Sequence, residues 1–170
     1  MKRGQVWIET VLYTLIIMIL IGAVLAYAVP KVEEVKDKST IEQSLEIMQN
    51  IDGVILSVTQ GGTGNKRVLD ISIRKGTMEI NPSNGTITFE VLSSYKYSES
   101  GEEIKIGKIT AVTSEEGSTN KVTLTGNYSV YNLTYNGESS SKEINSASTP
   151  YKMSIENRGG EKTNINIAVS

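Results

Sequence analysis

The sequence has no cysteine and no histidine among its 170 residues, and these absences exclude several classes of function. Without thiolates or imidazoles the chain cannot build a structural zinc site, an iron–sulfur cluster or a histidine-based catalytic triad. No disulfide can form, so stability must come from packing and backbone pairing. The 17 Lys+Arg against 19 Asp+Glu are nearly balanced, which gives no electrostatic case for a nucleic-acid partner.

The sequence also lacks an arrangement of residues that is typical of an active site. The segment 61–66 (GGTGNK) has the glycines of a phosphate loop but not its GK[ST] ending, and it fits a helix-ending turn better. The acidic pairs Glu102-Glu103 and Glu115-Glu116 are sequence neighbours, which point to opposite faces of a strand and so cannot act as an acid/base pair. We therefore expect no enzyme activity, no cofactor and no metal site.

Charge is missing altogether from one segment, the 20 residues Thr10–Val29 (TVLYTLIIMILIGAVLAYAV). As a helix this segment spans roughly 30 Å, the thickness of a membrane's hydrocarbon core. Lys2 and Arg3 precede it, so the positive-inside rule places the N-terminus in the cytoplasm and the chain from Lys31 onward outside. The alternative is a secretory signal cut after Ala26-Tyr-Ala28, although the apolar run is long for that role.

Glu9 directly precedes the uncharged run, and the apolar residues Val6, Trp7 and Ile8 come before it. It therefore lies one turn inside the wider apolar stretch that begins at Val6. A carboxylate at this depth is costly unless it is paired or kept near the headgroups, so it marks a candidate functional residue. The alternative is that residues 6–8 lie at the membrane interface, with Trp7 as an aromatic anchor. Glu9 alone does not decide between these two interpretations.

The first nine residues carry a motif in which Lys2-Arg3 is followed by Gly4, Gln5 and, four residues later, Glu9. The string KRGQVWIE closely resembles the class III signal peptide of archaeal type IV pilins, joined here to an apolar helix and a β-rich remainder. The resemblance implies that a membrane-embedded prepilin peptidase cuts between Gly4 and Gln5. Residues 1–4 would then be the cleaved leader, residues 5–60 the N-terminal helix, and residues 10–29 its membrane and filament-core segment.

The resemblance also implies a role for Gln5 and Glu9 in setting the register of the filament. The amine freed at Gln5 would lie near Glu9 of a neighbouring subunit, which offsets the cost of an unpaired charge in an apolar core. Cyclisation of Gln5 would remove that positive charge and leave a hydrogen bond. The residues implied to form the filament core are Val6, Trp7, Ile8, Leu12, Ile16, Ile19, Leu20 and Val24.

The helix pattern continues beyond the membrane segment, because apolar residues recur at steps of three and four. Pro30 predicts a kink, while Ser39 with Glu42 forms a possible capping box, which leaves open a break near residues 37–40. Gly61–Gly64 predicts the helix end. The apolar stripe consists of Val32, Val35, Ile41, Leu45, Met48, Ile51, Ile55 and Val58.

From residue 65 to 170 the apolar period changes to two, and turn signals separate the alternating runs. This pattern predicts about eight strands in an all-β head, arranged as an immunoglobulin-like sandwich, and hence an α+β fold for the whole chain. Gly107 and Gly126 are predicted as β-bulges. Residues 137–150 are predicted as one long serine-rich loop.

The head contains three N-x-[ST] sequons, which begin at Asn84, Asn127 and Asn132. Asn84 lies in a predicted turn, and Asn132 falls on the strand phase opposite Leu133, so both should face solvent. Given an external location, we expect a glycan on at least one of the three.

These observations together predict a structural subunit of an archaeal type IV pilus on the cell surface that polymerises with copies of itself for adhesion. The precursor would lie in the cytoplasmic membrane with its head outside. The resemblance implies further partners, namely the prepilin peptidase, an assembly ATPase and a membrane platform protein. Two alternatives stay open: a monomeric membrane-anchored extracellular binding module, and an archaellin-type motility filament subunit.

Overall fold

The computed structural model describes residues 2–170, with side chains from Trp7 onward, and shows one long helix followed by a β-rich part. Helix α1 (Lys2–Gln60) precedes ten strands within these described residues. This confirms the prediction of an N-terminal helix and a β-rich head. By its internal contacts the chain divides into two compact units, one ending at Lys36 and one comprising Asp37–Ser170. We call the second unit the head and describe each unit by itself.

Helix α1 is continuous from Lys2 to Gln60 and contains Pro30 in its interior. The break near residues 37–40 that the capping box suggested is therefore wrong. The Ser39 hydroxyl accepts a hydrogen bond from the Gln43 amide at 3.4 Å, a contact between successive turns of the same helix. The chain leaves the helix at Gly61, whose N–H still donates to the carbonyl of Ser57 at 2.9 Å.

The part of α1 that belongs to the head supplies one face of its core. The predicted stripe is correct from Ile41 onward, whereas Val32 and Val35 are 49% and 67% exposed and take no part in the core. Leu45 is half-buried against the core. The fully buried helix residues are Ile41, Met48, Ile51, Ile55 and Val58.

The strands of the described chain form two sheets. One has four strands in the order β1-β9-β10-β7, and the other has six in the order β4-β5-β6-β3-β2-β8. Pairing is antiparallel throughout the six-stranded sheet, while β7 and β10 pair in parallel. The strands are β1 (Lys66–Ile71), β2 (Thr77–Asn81), β3 (Thr86–Ser93), β4 (Glu103–Ile106), β5 (Ile109–Glu116), β6 (Thr119–Asn127), β7 (Asn132–Tyr135), β8 (Lys142–Asn145), β9 (Tyr151–Gly159) and β10 (Asn164–Val169).

The number of strands is larger than the expected eight because short strands lie where the sequence pattern is weakest. Strand β8 falls inside residues 137–150, which were predicted as one loop, so that prediction is wrong. Only Ile144 of β8 is buried, and a single apolar residue cannot display an alternation. The core is formed jointly by side chains from α1 and from both sheets.

The two predicted bulges are also wrong, for different reasons. Gly107 lies between β4 and β5 with φ +64°, in a two-residue hairpin turn that favours glycine. Gly126 pairs in unbroken register with Ile87 and Ile109. A Cβ on Gly126 would lie 2.8 Å from a ring carbon of the fully buried Tyr128, so this position has no room for a side chain. Position 126 is therefore occupied by glycine because the Tyr128 ring packs against it, and the strand pairing is not interrupted there.

Polar contacts anchor the helix within the head at both ends of the buried stripe. Near its start, the Asp37 carboxylate accepts hydrogen bonds from the Ser94 N–H at 2.7 Å, the Ser94 hydroxyl at 3.0 Å and the Lys75 ammonium at 2.5 Å. Near its end, the Asn157 amide donates to the Val58 carbonyl at 3.2 Å. Burial alone would raise the pKa of Asp37, but the hydrogen bonds from Lys75 and Ser94 outweigh it and hold the pKa below its usual value.

Candidate membrane and assembly segment

Helix α1 is long and apolar enough to cross a membrane, and its apolar segment is solvent-exposed all around. Trp7 is 75% exposed and Met18 is 67% exposed, and even Ile16, the least exposed large apolar residue between them, has 45% of its surface free. A soluble helix normally hides one apolar stripe and shows a polar face. We call residues 7–29 the apolar segment. It leaves uncovered a surface that water cannot solvate favourably.

The predicted filament-core residues with described side chains all lie on this exposed surface. Leu12, Ile16 and Leu20 follow Glu9 at intervals of three, four and four residues, which places them on the face of the helix that carries the carboxylate. The remaining members, Trp7, Ile8, Ile19 and Val24, are at least 62% exposed. The structure brings none of these side chains into a core of the chain itself.

Glu9 is exposed, and among the side chains from Trp7 onward no lysine or arginine forms an ion pair with it. A carboxylate in this setting needs a partner once water is removed. The predicted partner at Gln5 and the cleavage site between Gly4 and Gln5 lie outside the described side chains, as does Val6. The register role of Gln5 and Glu9 therefore stays a prediction.

The other polar groups of the apolar segment are compatible with a lipid environment. The Thr14 hydroxyl donates to the Thr10 carbonyl at 2.8 Å, which satisfies it within the helix. Tyr13 and Tyr27 are exposed. The first cation after the segment is Lys31, which pairs with Glu34 at 2.6 Å one turn later. The segment thus ends at a charged boundary, as expected where a helix leaves a bilayer.

The three sequon asparagines are all exposed on the head, as a glycan acceptor requires. Their hydroxyl residues differ. Ser129 is exposed and Thr86 is half-buried, whereas Thr134 is 5% exposed and its hydroxyl lies 3.0 Å from the Asn164 amide oxygen. In the sequon at Asn132, the threonine is therefore buried in the folded sheet, and its hydroxyl is already hydrogen-bonded there. Glycosylation of Asn84, Asn127 and Asn132 remains a prediction.

Sequence reasoning missed two polar residues that matter for the head. Asp37 stands in the charge-rich stretch 33–38, a pattern typical of a solvated helix face, and its contacts with Lys75 and Ser94 span 38 and 57 residues. The sequence favours Tyr128, like its neighbouring tyrosines, for the core or a cross-strand pair, but nothing in it marks Tyr128 as the largest fully buried side chain. Burial, with a smaller contribution from the Asp52 charge, raises the pKa of Tyr128, so the phenol stays protonated. Only a glycine two positions before it could have suggested this packing.

Within residues 2–170, no group of three or more acidic side chains has the arrangement of a metal site. No protein-family model matches the sequence, and no characterised protein and no solved structure gives a match either.

Proposed function

We propose that this chain is a structural subunit of an extracellular archaeal type IV pilus, which polymerises through its N-terminal helix and serves surface adhesion. One observation carries the proposal: residues 7–29, which begin within the pilin-like motif KRGQVWIE, expose an apolar surface on every side. The head, in contrast, covers its own core. Such a chain needs either lipid or copies of the same helix around its apolar segment.

In this proposal the precursor lies in the cytoplasmic membrane with the head outside, until the prepilin peptidase cuts between Gly4 and Gln5. An assembly ATPase and a membrane platform protein then move the subunit from lipid into the filament. The helix exchanges one apolar environment for another, so little hydrophobic free energy changes. Specificity must come from packing between helices and from the few polar groups that they contain.

Glu9 supplies the polar part of that specificity. An unpaired carboxylate in an apolar filament core costs several kcal/mol, and the new N-terminal amine of Gln5 on a neighbouring copy offsets this cost. A subunit that slipped along the axis would leave both charges unpaired. The Glu9 face, with Leu12, Ile16 and Leu20, is the surface that we propose to meet the neighbouring helix.

The head is proposed to be an immunoglobulin-like sandwich that lines the outside of the filament. Its two sheets, its closed core and the exposed asparagines Asn84, Asn127 and Asn132 support this assignment. Adhesion would then depend on the outer surfaces of the sheets and on any glycans that they carry.

The test combines electron microscopy of cell-surface fibres with N-terminal sequencing of the protein that they contain. We expect fibres whose subunit begins at Gln5, either free or cyclised. Glu9→Leu should reduce the fibre yield at least tenfold, whereas Glu46→Leu, at an exposed helix position in the head, should leave it unchanged. Normal fibre yield from the Glu9→Leu variant would remove the register role of this carboxylate.

The rival functions predict different material in the same experiment. A membrane-anchored binding module would be a monomer in detergent that still begins at Met1, and a secreted protein would begin close to Lys31. Either result would overturn the pilin proposal. A rotating appendage that carries this subunit would favour the archaellin alternative.

A further inference from the structure

The six-stranded sheet has two edge strands, β4 and β8, and each pairs with a strand on one side only. On β8 one backbone group is already bonded, because the Tyr151 hydroxyl donates to the Asn145 carbonyl at 3.0 Å. Both edges are four residues long. Ile106 and Ile109 flank the two-residue turn and form its closing pair, so the backbone N–H and C=O groups of Glu103 and Lys105 point away from β5. The edges also expose side chains, since Glu103, Lys105, Lys142, Glu143 and Asn145 are all on the surface.

The side chains of the two edges match each other. When β8 is laid antiparallel to β4 with Ile144 opposite Ile104, Glu143 falls opposite Lys105, and both point to the outer face. On the inner face, the half-buried Ile104 would meet the buried Ile144, and the half-buried Ile106 would meet the aliphatic part of the exposed Lys142. Cross-strand pairs of opposite charge and of apolar side chains are those that stabilise a sheet.

The direction of the strands also fits. Six successive antiparallel strands leave the two edge strands running in opposite directions. A second copy placed beside the first therefore meets β4 with a β8 that continues the antiparallel pattern. Because each strand is rotated relative to the last by roughly 20°, every added copy turns in the same sense.

We propose that β4 of one copy pairs with β8 of a second copy, so that the six-stranded sheets of neighbouring heads join edge to edge. The partner surface differs from the donor surface, so the contact is heterologous and open-ended and generates a helical array. The occupant of each edge is thus another copy of this chain. This contact is made by the heads and goes beyond the proposed role of the apolar helix.

Isolated sheet edges commonly carry charges that keep them solvated, and a lysine on the inner face, such as Lys142, is one such device. The edges here differ from simple protection at one position: Lys105 on β4 and Glu143 on β8 carry opposite charges and face each other, while Glu103 faces the neutral Asn145.

The absence of cysteine allows a direct test by disulfide trapping in the full-length chain. Lys105→Cys combined with Glu143→Cys places the thiols within bonding distance only if two copies pair as proposed. Within one chain the two positions lie at opposite edges of six strands, roughly 24 Å apart, so they cannot bond internally. Mild oxidation of the protein on the cell surface should give a ladder of linked chains on a non-reducing gel.

The matched control is Lys105→Cys with Lys142→Cys, because Lys142 is the immediate neighbour of Glu143 but points to the opposite face. We expect at least tenfold fewer linked chains from this control. Equal linking in both pairs, or none in either, would overturn the edge contact and show that the charges only keep the edges solvated.

Charge reversal gives a second measurement in which no covalent bond is required. Lys105→Glu and Glu143→Lys should each weaken head association, by up to about fivefold per lost pair, and the double variant should restore it. No rescue would contradict the pairing. Fibres in which the heads do not link would refute the β4–β8 contact and leave the proposed function intact. Linked heads in the absence of fibres would support the β4–β8 contact and refute the proposed function.

Discussion

The apolar segment and the head differ in how far they expose the same kinds of apolar side chain to solvent. Isoleucines and leucines of the apolar segment, residues 7–29, are exposed by about half, whereas those on the inner faces of the head are fully buried. The head is therefore complete as a folded unit, and the segment is complete only with something around it. The apolar segment thus lacks a cover within its own unit, whereas the head buries its own core.

The largest expected effect comes from separating the two regions. A chain that begins at Val35 keeps the buried stripe of α1 and should fold as a soluble head, while the full chain should require detergent. A chain that begins at Gly61 loses five fully buried helix residues. Each is worth about 2–5 kcal/mol, which together exceeds the usual stability of a domain. Size-exclusion chromatography and circular dichroism would compare them, and a folded chain from Gly61 onward would refute the shared core.

A smaller effect separates two isoleucines on the same helix. Ile51→Ala removes a fully buried side chain and should lower the free energy of unfolding of the head by about 2–5 kcal/mol. Ile17→Ala, at a position that is 54% exposed, should leave it unchanged within error. Thermal unfolding followed by near-UV circular dichroism measures both. Equal losses from the two variants would mean that the regions do not differ in the way described.

Two glycines sharpen the comparison within the head. Gly126→Ala would force a Cβ against the buried ring of Tyr128 and should destabilise the head by about 1–3 kcal/mol. Gly53→Ala, on the exposed side of α1 with nothing within 4 Å, should stabilise it by up to about 1 kcal/mol. Chemical denaturation of the two variants measures the difference. The two substitutions should change the free energy of unfolding in opposite directions. A Gly126→Ala variant with unchanged stability would contradict the close packing against Tyr128.

The smallest effect concerns Asp37 and the pH. Because its folded pKa is below its usual value, Asp37 contributes stability that is complete above about pH 4 and is lost as the pH falls through the folded pKa. Asp37→Asn should lower stability by about 1 kcal/mol at neutral pH and flatten the acid side of the profile.

The control for Asp37 is Asp70→Asn, at an exposed position on β1. At neutral pH this variant should be as stable as the unmodified chain, within error. If Asp37→Asn kept the unmodified profile, the contacts with Lys75 and Ser94 would not contribute to stability.

The sequence was sufficient to predict an element where apolar residues form an unbroken run or recur with a clear period. The uncharged run 10–29, the helix stripe from Ile41 and the long strands β3, β9 and β10 all carry such a repeat. The sequence was not sufficient to predict an element or a packing contact that depends on residues far away along the chain. Strand β8 exists because it pairs with β2, and Gly126 is small because of Tyr128. The candidate assembly residues could be named from the motif, but their exposure had to come from the structure.

The continuity of α1 into the head has a mechanical consequence. Residues 37–60 are both the end of the helix and part of the packed interior, and Asp37 and Asn157 anchor the two ends of this stretch. Pulling residues 37–60 out of the head would therefore expose the buried side chains of this stretch to water.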